Sequence, residues 1–300
     1  MNEAVVNTPL QGVLPIRGSL SLILPAYNEA ANLEAVVRRA CEVLPRLVEQ
    51  FEIVIVDDGS RDGTGEIAER LARDDARIRV IHHPVNRGYG AALRSGFAAA
   101  RGDLIMFMDA DQQFDPADLA HLAPFVHHAD IVAGYRVRRR DPWQRLVYAA
   151  IFNVAMRVLF GIAVRDIDCA FKVLRGDLVR AIELRMDGAL VNTELLAKAQ
   201  RAGATIVEVG VQHYPRLSGE PSGGSLRVIT RAIREVAQLW WMLLWYRPPI
   251  GVGSGRPQPR SSQLLRAAGL GVLACSTLWW LWRRCGRARA PRRSSTASGE

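Results

Sequence analysis

Along the first two-thirds of the chain, short apolar runs alternate with stretches in which apolar residues recur at helical spacing. Residues 20–24, 52–56, 77–82, 104–108, 131–134 and 205–211 read as strands. Between them, residues 30–44 place Leu33, Val36, Val37 and Leu44 on one helical face. Further helices are predicted from Thr64 to about Arg73, through the Ala-rich stretch ending near Arg101, and over 116–126, 143–160 and 193–201. Strands and helices alternating in this way predict an α/β fold, with a mostly parallel central sheet and helices on both faces.

The turns carry their own signals. Pro25 closes the first strand, and Asn28 is expected to cap the helix after it. Asp62-Gly63-Thr64 makes a turn and a cap. Asn86-Arg87-Gly88-Tyr89-Gly90 opens the next helix, and its spacing does not fit the dinucleotide-binding fingerprint. Residues 166–172 read as a loop entering a short strand. Residues 218–225, rich in Gly and Ser, read as a mobile loop.

After Leu226 the pattern changes. Residues 236–246, VAQLWWMLLWY, are intensely apolar but too few to span a bilayer. Arg227, Arg231 and Arg234 precede them and Arg247 follows. Two readings stand: a helix in the membrane interface with its Trp residues at headgroup level, or a helix packed on the core. Residues 264–282 read as a transmembrane or membrane-inserted helix. The expected organisation is a flexible leader (1–18), a catalytic domain (19–225), an interfacial helix (226–250), a linker (251–263), the inserted helix (264–282) and a basic disordered tail (283–300). Together these place the protein on the cytoplasmic face of the cell membrane.

Composition narrows the class. A formal net charge of +9 suits an anionic partner. The basic residues do not alternate with aromatics in a nucleic-acid pattern, so no nucleic acid is expected. The four cysteines match no metal spacing, which points to a reducing compartment.

The chemistry concentrates where strands end. Residues 104–108 run into Asp109 and Asp111, which as i and i+2 can face one point. Two close carboxylates repel and need a cation or a shared proton. Mg²⁺ or Mn²⁺ fits, because such ions also hold substrate phosphates. Gln113 adds a carbonyl oxygen. The same residues also read as a solvated acidic turn closed by Asp115-Pro116. Asp57 and Asp58 likewise follow a strand.

Taken in order, LPAYNEAANL, VIVDDGSRDGT, NRGYGAALRSG, GDLIMFMDADQQFDP and HYPRLSGEPSG resemble the inverting, family 2 glycosyltransferases with a GT-A fold. Within these the chain is most similar to the dolichyl-phosphate mannose synthase and polyprenyl-phosphate glycosyltransferase branch. The resemblance covers about residues 20–233. It implies a nucleotide pocket lined by Pro25, Tyr27, Asn28 and Glu29, with Val56, Asp57 and Asp58 on base and ribose. It places Asp109, Ala110 and Asp111 on ribose, metal and diphosphate, Gln113 as a further metal ligand, and Arg216 closing over the diphosphate. The Arg216 loop departs from the common pattern: Ser222 sits one residue late, and no Lys follows.

The implied reaction moves one hexose from a UDP- or GDP-sugar to a polyprenyl phosphate. A hydroxyl acceptor would need a carboxylate base, with Asp166 and Asp168 as candidates, whereas a lipid phosphate needs none. His213 reads as structural or as a pocket wall. The Gln-x-x-Arg-Trp signature of processive synthases is absent, so single transfer is expected. The rival readings are a hydroxyl-directed enzyme of the same fold and an inactive scaffold.

Overall fold

The computed structural model describes residues 14–137, 143–215, 226–249 and 251–253. Seven strands form one sheet: β1 (Ile16–Ala26), β2 (Val48–Asp57), β3 (Ile78–His82), β4 (Leu104–Phe107), β5 (Ile131–Arg136), β6 (Lys172–Arg175) and β7 (Ile206–Val211). Their order is β3-β2-β1-β4-β6-β5-β7. The helices are α1 (Leu33–Leu47), α2 (Thr64–Asp74), α3 (Tyr89–Ala99), α4 (Leu119–Leu122), α5 (Trp143–Phe160), α6 (Gly176–Ala181), α7 (Val191–Arg201) and α8 (Leu226–Trp245).

Strands β1, β2, β3 and β4 are mutually parallel; residues 22–24, 53–56 and 104–107 of β1, β2 and β4 are buried and apolar on both faces, as in strands covered by helices on both sides, while the edge strand β3 buries only Ile78. Their order reverses at β1, so β2 and β4 diverge from its carboxyl end and open a crevice there. The sheet is not wholly parallel, because β6 runs antiparallel between β4 and β5. Phe107 pairs with Lys172, so the loop entering β6 arrives at the edge where β4 leaves.

Several local expectations shift. Strand β1 begins at Ile16, inside the segment read as a leader, and its register slips between Ile16 and Ser19. Asn28 caps nothing. It adopts φ 55°, its side-chain oxygen accepts from Arg61 N at 2.9 Å, and α1 starts only at Leu33. The stretch 116–126 is broken into 3₁₀ turns around α4, with Pro116 and Pro124 each near the start of a 3₁₀ turn. Helix α6 was not foreseen.

Helix α8 packs one face on the core and leaves another exposed. Leu239 and Leu243 are buried in the core, whereas Trp241 and Trp245 are 62% and 73% exposed with their rings stacked edge-on. Helix α8 runs alongside α7 in the same direction: Glu235 lies against Gly188, just before α7, and the Leu243 carbonyl accepts from Arg201 at its end. Among the described residues no helix is long and apolar enough to cross a membrane. The proposed inserted helix 264–282 lies outside the described residues.

One buried charge is out of balance. Asp118 is 1% exposed; one of its oxygens accepts from Gln212 N at 2.7 Å and the other has no hydrogen bond. Burial raises its pKa from 3.8 to about 6. Because the folded pKa is the higher one, stability falls as pH rises from about 4 to about 6. Asp118→Asn keeps the acceptor for Gln212 and removes the charge. The variant is expected to be about 2 kcal/mol more stable at pH 7.5. Denaturation at pH 4 should show the gain gone.

Candidate active site

Three strand ends meet at the crevice. In register, Ala26 of β1 lies beside Asp57 of β2, and Ile23 lies beside Phe107 of β4. Pro25, Tyr27, Asn28 and Glu29 leave β1 here, Val56, Asp57 and Asp58 close β2, and Asp109, Ala110 and Asp111 follow β4. Among the described residues, the only positive-φ residues other than glycine are Asn28 and Gln112 (φ 62°), one in each of two of these loops. Backbone held in this region collects at ligand sites, where the surrounding structure over-determines it.

A chain of side chains joins the loops. Glu29 accepts from Asn32 Nδ2 at 2.6 Å, and Asn32 accepts in turn from Gln112 Nε2 at 2.9 Å. The Glu29 amide donates to Thr64 Oγ1. Asp115 anchors the far end of the acidic loop, taking both Nε and Nη2 of Arg39 at 3.1 Å. Tyr27 stands 45% exposed at the rim.

Asp57 and Asp58 are both buried and already engaged. Asp57 accepts from Ser60 N and faces His82 Nδ1 at 3.0 Å. Asp58 accepts from Arg87 N and Gly88 N and sits 2.6 Å from His83 Nδ1. These contacts fold residues 83–88 against β2. A Cβ on Gly59 would lie 2.5 Å from the Val85 carbonyl carbon, so the approach needs glycine.

Asp109 and Asp111 carry the main electrostatic tension. Burial, and next the charge of Asp111, push the Asp109 carboxyl up to about 7. Asp111, itself buried, accepts from Gln113 N at 3.1 Å. Gln113 Nε2 donates to Tyr214 O, and Tyr214 N donates to Gln113 O at 2.9 Å. This strap leaves the Gln113 amide oxygen for other partners. It also fixes the chain two residues before Arg216, which itself lies outside the described residues.

No group of three or more His, Cys, Asp or Glu side chains able to hold a metal occurs among the described residues. A half-site of two carboxylates is nevertheless what Mg²⁺ or Mn²⁺ takes when substrate phosphates and water complete the shell. The donor set fits the ion.

The two candidate bases separate. Asp166 is bound in a buried fork: Arg136 Nε and Nη2 each donate to it at 2.7 Å. A carboxylate held so is a poor proton acceptor. Asp168 instead lies on the side of Tyr89, whose hydroxyl interacts with Asp109 and feels the charge of Asp168. The loop carrying both acids is held from below by buried Lys172, whose ammonium donates to the carbonyls of Ile167 and Cys169 and sits 5.4 Å from the Phe107 ring. His213 packs edge-on against Phe114 at 5.4 Å, forming a wall.

Sequence reasoning missed Tyr89, Asn192, Arg136 and Lys172. Tyr89 stands in a stretch read only for its glycines, and Asn192 precedes the predicted start of α7. Lys172 was named only as the end of a loop. A lysine set between the apolar residues Phe171 and Val173 was the available signal.

The profile of Glycosyl transferase family 2 matches residues 21–182. The chain is 34% identical to the polyprenol monophosphomannose synthase of Mycolicibacterium smegmatis over 69% of this chain and 82% of that one. It is 33% identical to glycosyltransferase AglD of Haloferax volcanii over 75% of this chain, spanning only 37% of AglD's length. Among solved structures, glucosyl-3-phosphoglycerate synthase of Mycobacterium tuberculosis, in complex with Mn²⁺, UDP-glucose and phosphoglyceric acid, superposes with a TM-score of 0.59 at 22% identity. That match covers 75% of this chain and 79% of the other and shows the shared fold. The chain belongs to glycosyl transferase family 2.

Proposed function

We propose that this protein transfers a single hexose from a nucleoside-diphosphate sugar, UDP- or GDP-linked, to a polyprenyl phosphate at the cytoplasmic face of a membrane. The observation that carries the donor half is the convergence of Asp109 and Asp111 with the strapped segment that leads to Arg216. Asp109, Asp111 and the Gln113 amide oxygen would hold a divalent cation. That ion neutralises negative charge on the leaving diphosphate. Arg216 adds a guanidinium whose fork suits a diphosphate. Glu29, Asn28, Tyr27 and Pro25 line the nucleotide side, with Val56, Asp57 and Asp58 as its floor.

The lipid half rests on α8. Its exposed Trp241 and Trp245, followed by Arg247, suit the bilayer interface. The middle of α8 packs beside the turn that opens α7, at Glu235 against Gly188, so a membrane-bound α8 would bring that turn toward the lipid surface. The relative named for polyprenol mannosylation supports the same acceptor class. A lipid phosphate is anionic and attacks without a strong base. The second reading, a hydroxyl acceptor with Asp168 as base, is favoured by the place of Asp168 beside Tyr89 and Asp109.

The test is transfer by membranes holding the protein. Labelled UDP-glucose, UDP-galactose, UDP-GlcNAc and GDP-mannose are each supplied with Mn²⁺ or Mg²⁺, with and without polyprenyl phosphate. Label is expected in the lipid fraction only when lipid phosphate and cation are both present. Cation affinity should weaken as pH falls below about 7, because Asp109 then holds its proton. Donor consumption without lipid labelling moves the hydroxyl-acceptor reading ahead.

A further inference from the structure

Two adjacent histidines stand where β3 ends, and their surroundings differ. His82 Nδ1 faces Asp57 Oδ2 at 3.0 Å, and His82 Nε2 faces Glu69 Oε1 at 2.9 Å. Both partners are carboxylate oxygens, which only accept. A neutral imidazole has a single N–H, so only the imidazolium satisfies both. His83 faces Asp58 Oδ1 at 2.6 Å and Ser95 Oγ at 2.8 Å. The serine hydroxyl can donate, so a neutral ring with its proton on Nδ1 meets both of those partners. Of the two rings, His82 is the one that needs a charge to complete its contacts.

The His82 contacts form a line from solvent to the floor of the crevice. Side-chain exposure falls from 48% at Glu69 on α2, through 43% at His82, to 8% at Asp57. Sheet register sets Asp57 beside His82, and His83 N donates to Asp57 O at 2.9 Å. Helix α2 lies over the pair: a Cβ on Gly65 would come within 2.8 Å of Asp57 Oδ2 and 3.3 Å of His82 Cε1. Asp57 Oδ1 accepts from Ser60 N at 3.0 Å, so both oxygens are held and each keeps a lone pair for a ligand N–H. Among the described residues no other charged group pairs with the His82 ring. Nearby charges are engaged elsewhere: Arg79 of β3 by Glu52, Arg70 of α2 by Glu34, and Asp62 by Ala30 N and Thr64. The Glu69 contact raises the His82 pKa, partial burial opposes it and Asp57 adds to it, and the balance stands above the ordinary 6.5.

Asp57 belongs to the floor of the proposed nucleotide site, where its remaining lone pairs suit an N–H of the base. We propose that His82, charged and held by Glu69, is a positioning residue that fixes the Asp57 carboxylate for the base and offsets its charge toward an anionic nucleotide. Loss of the His82 proton leaves a ring that donates to one carboxylate instead of two, and a site more negative by one charge. Nucleotide affinity therefore falls as pH rises through the His82 pKa. The direction is opposite to that of cation binding, which weakens at low pH as Asp109 gains its proton. The inference rests on the donor reading above and adds what sets the state of its floor.

UMP and GMP, bound without a divalent cation, are the probes, so that the pH dependence of the cation does not enter. The affinity of the unsubstituted chain for whichever binds is expected to fall about fivefold across a transition above pH 6.5. The His82 ring, assigned in proton NMR spectra with His82→Gln, should titrate at the same pH. Glu69→Gln alters only the solvent end of the line, at an exposed residue of α2. It should move the ring titration and the affinity transition to lower pH by the same amount. His82→Gln should remove the transition. If His82 only ties β3 to α2, both variants will lower the melting temperature and leave the pH profile of nucleotide affinity in place, and that result overturns the proposal. A ring titration that moves while the affinity profile stays overturns it as well. If the folded, unsubstituted chain binds neither nucleotide at any pH, the donor reading fails first and takes this one with it.

Discussion

Asp111→Asn is expected to lower hexose transfer about a thousandfold, while the protein keeps its fold. Asn is isosteric, and its side-chain oxygen still accepts from Gln113 N, so the turn after β4 survives. What is lost is a full negative charge at the point where a cation must sit against the departing diphosphate. Removing Asp111 also removes the neighbouring charge that helps hold the Asp109 carboxyl near 7, so Asp109 should ionise more readily in the variant. The expected pattern is a collapse of kcat, weakened Mn²⁺ binding and unchanged far-ultraviolet circular dichroism. Transfer retained within a few-fold would overturn the role given to Asp111, and no transfer by either protein would leave the scaffold reading standing.

The second large effect concerns stability. Arg136→Met leaves Asp166 buried opposite a thioether and is expected to cost about 3–5 kcal/mol, because breaking a buried pair strands the remaining charge. Both partners are largely inaccessible, and the fork uses two donors at 2.7 Å. The loss should appear as a lower urea midpoint with little change in slope. Asp166→Asn tests the same pair from the other side and bears on mechanism. If Asp166 were the proton acceptor, its Asn variant would be well folded and inactive. The fork instead predicts an unstable protein whose folded fraction keeps most of its activity, with Asp168 untouched.

Why the sequence announced some features and hid others follows from what each depends on. The parallel strands at the nucleotide side were legible because each is an apolar run ended by a polar turn. Their carboxylates were legible because i and i+2 spacing is local. The short strand that became β6 was foreseen, but not its antiparallel direction, which is set by the strands on either side of its four residues. The breaks around α4 were foreshadowed by Pro116 and Pro124 but masked by the apolar spacing of the residues between. Asn28 shows the limit of capping rules, since a strained backbone turned a good cap residue toward Arg61. Arg136 and Asp166, thirty residues apart, could not be paired without the sheet. The Tyr89 hydroxyl meets the Asn192 carboxamide only because α3 and the turn before α7 are locked together by Gly90 and Asp187. What distant segments build had to be seen in three dimensions.

The reversed strand β6 has a consequence for how such enzymes diversify. Its register with β4 sets Phe107 opposite Lys172, and the lysine grips the loop just before it. The acidic turn after β4 and the loop before β6 therefore spring from adjacent points of one sheet, whatever chain lies between β5 and that loop. Helix α5 is tied to that loop at one point, where the Asn153 side-chain oxygen accepts from Ile167 N at 3.0 Å, so exchanges in the α5 excursion that keep Asn153 should leave the spacing between Asp109 and Asp168 unaltered. On the proposed reading the fold separates two kinds of inheritance, a donor floor fixed by hydrogen-bonded backbone and a neighbouring α5 surface freer to drift. On the same reading, a chimera that takes the exposed positions of residues 150–160 from a relative, with Asn153 kept, should keep its nucleotide sugar and change its acceptor preference.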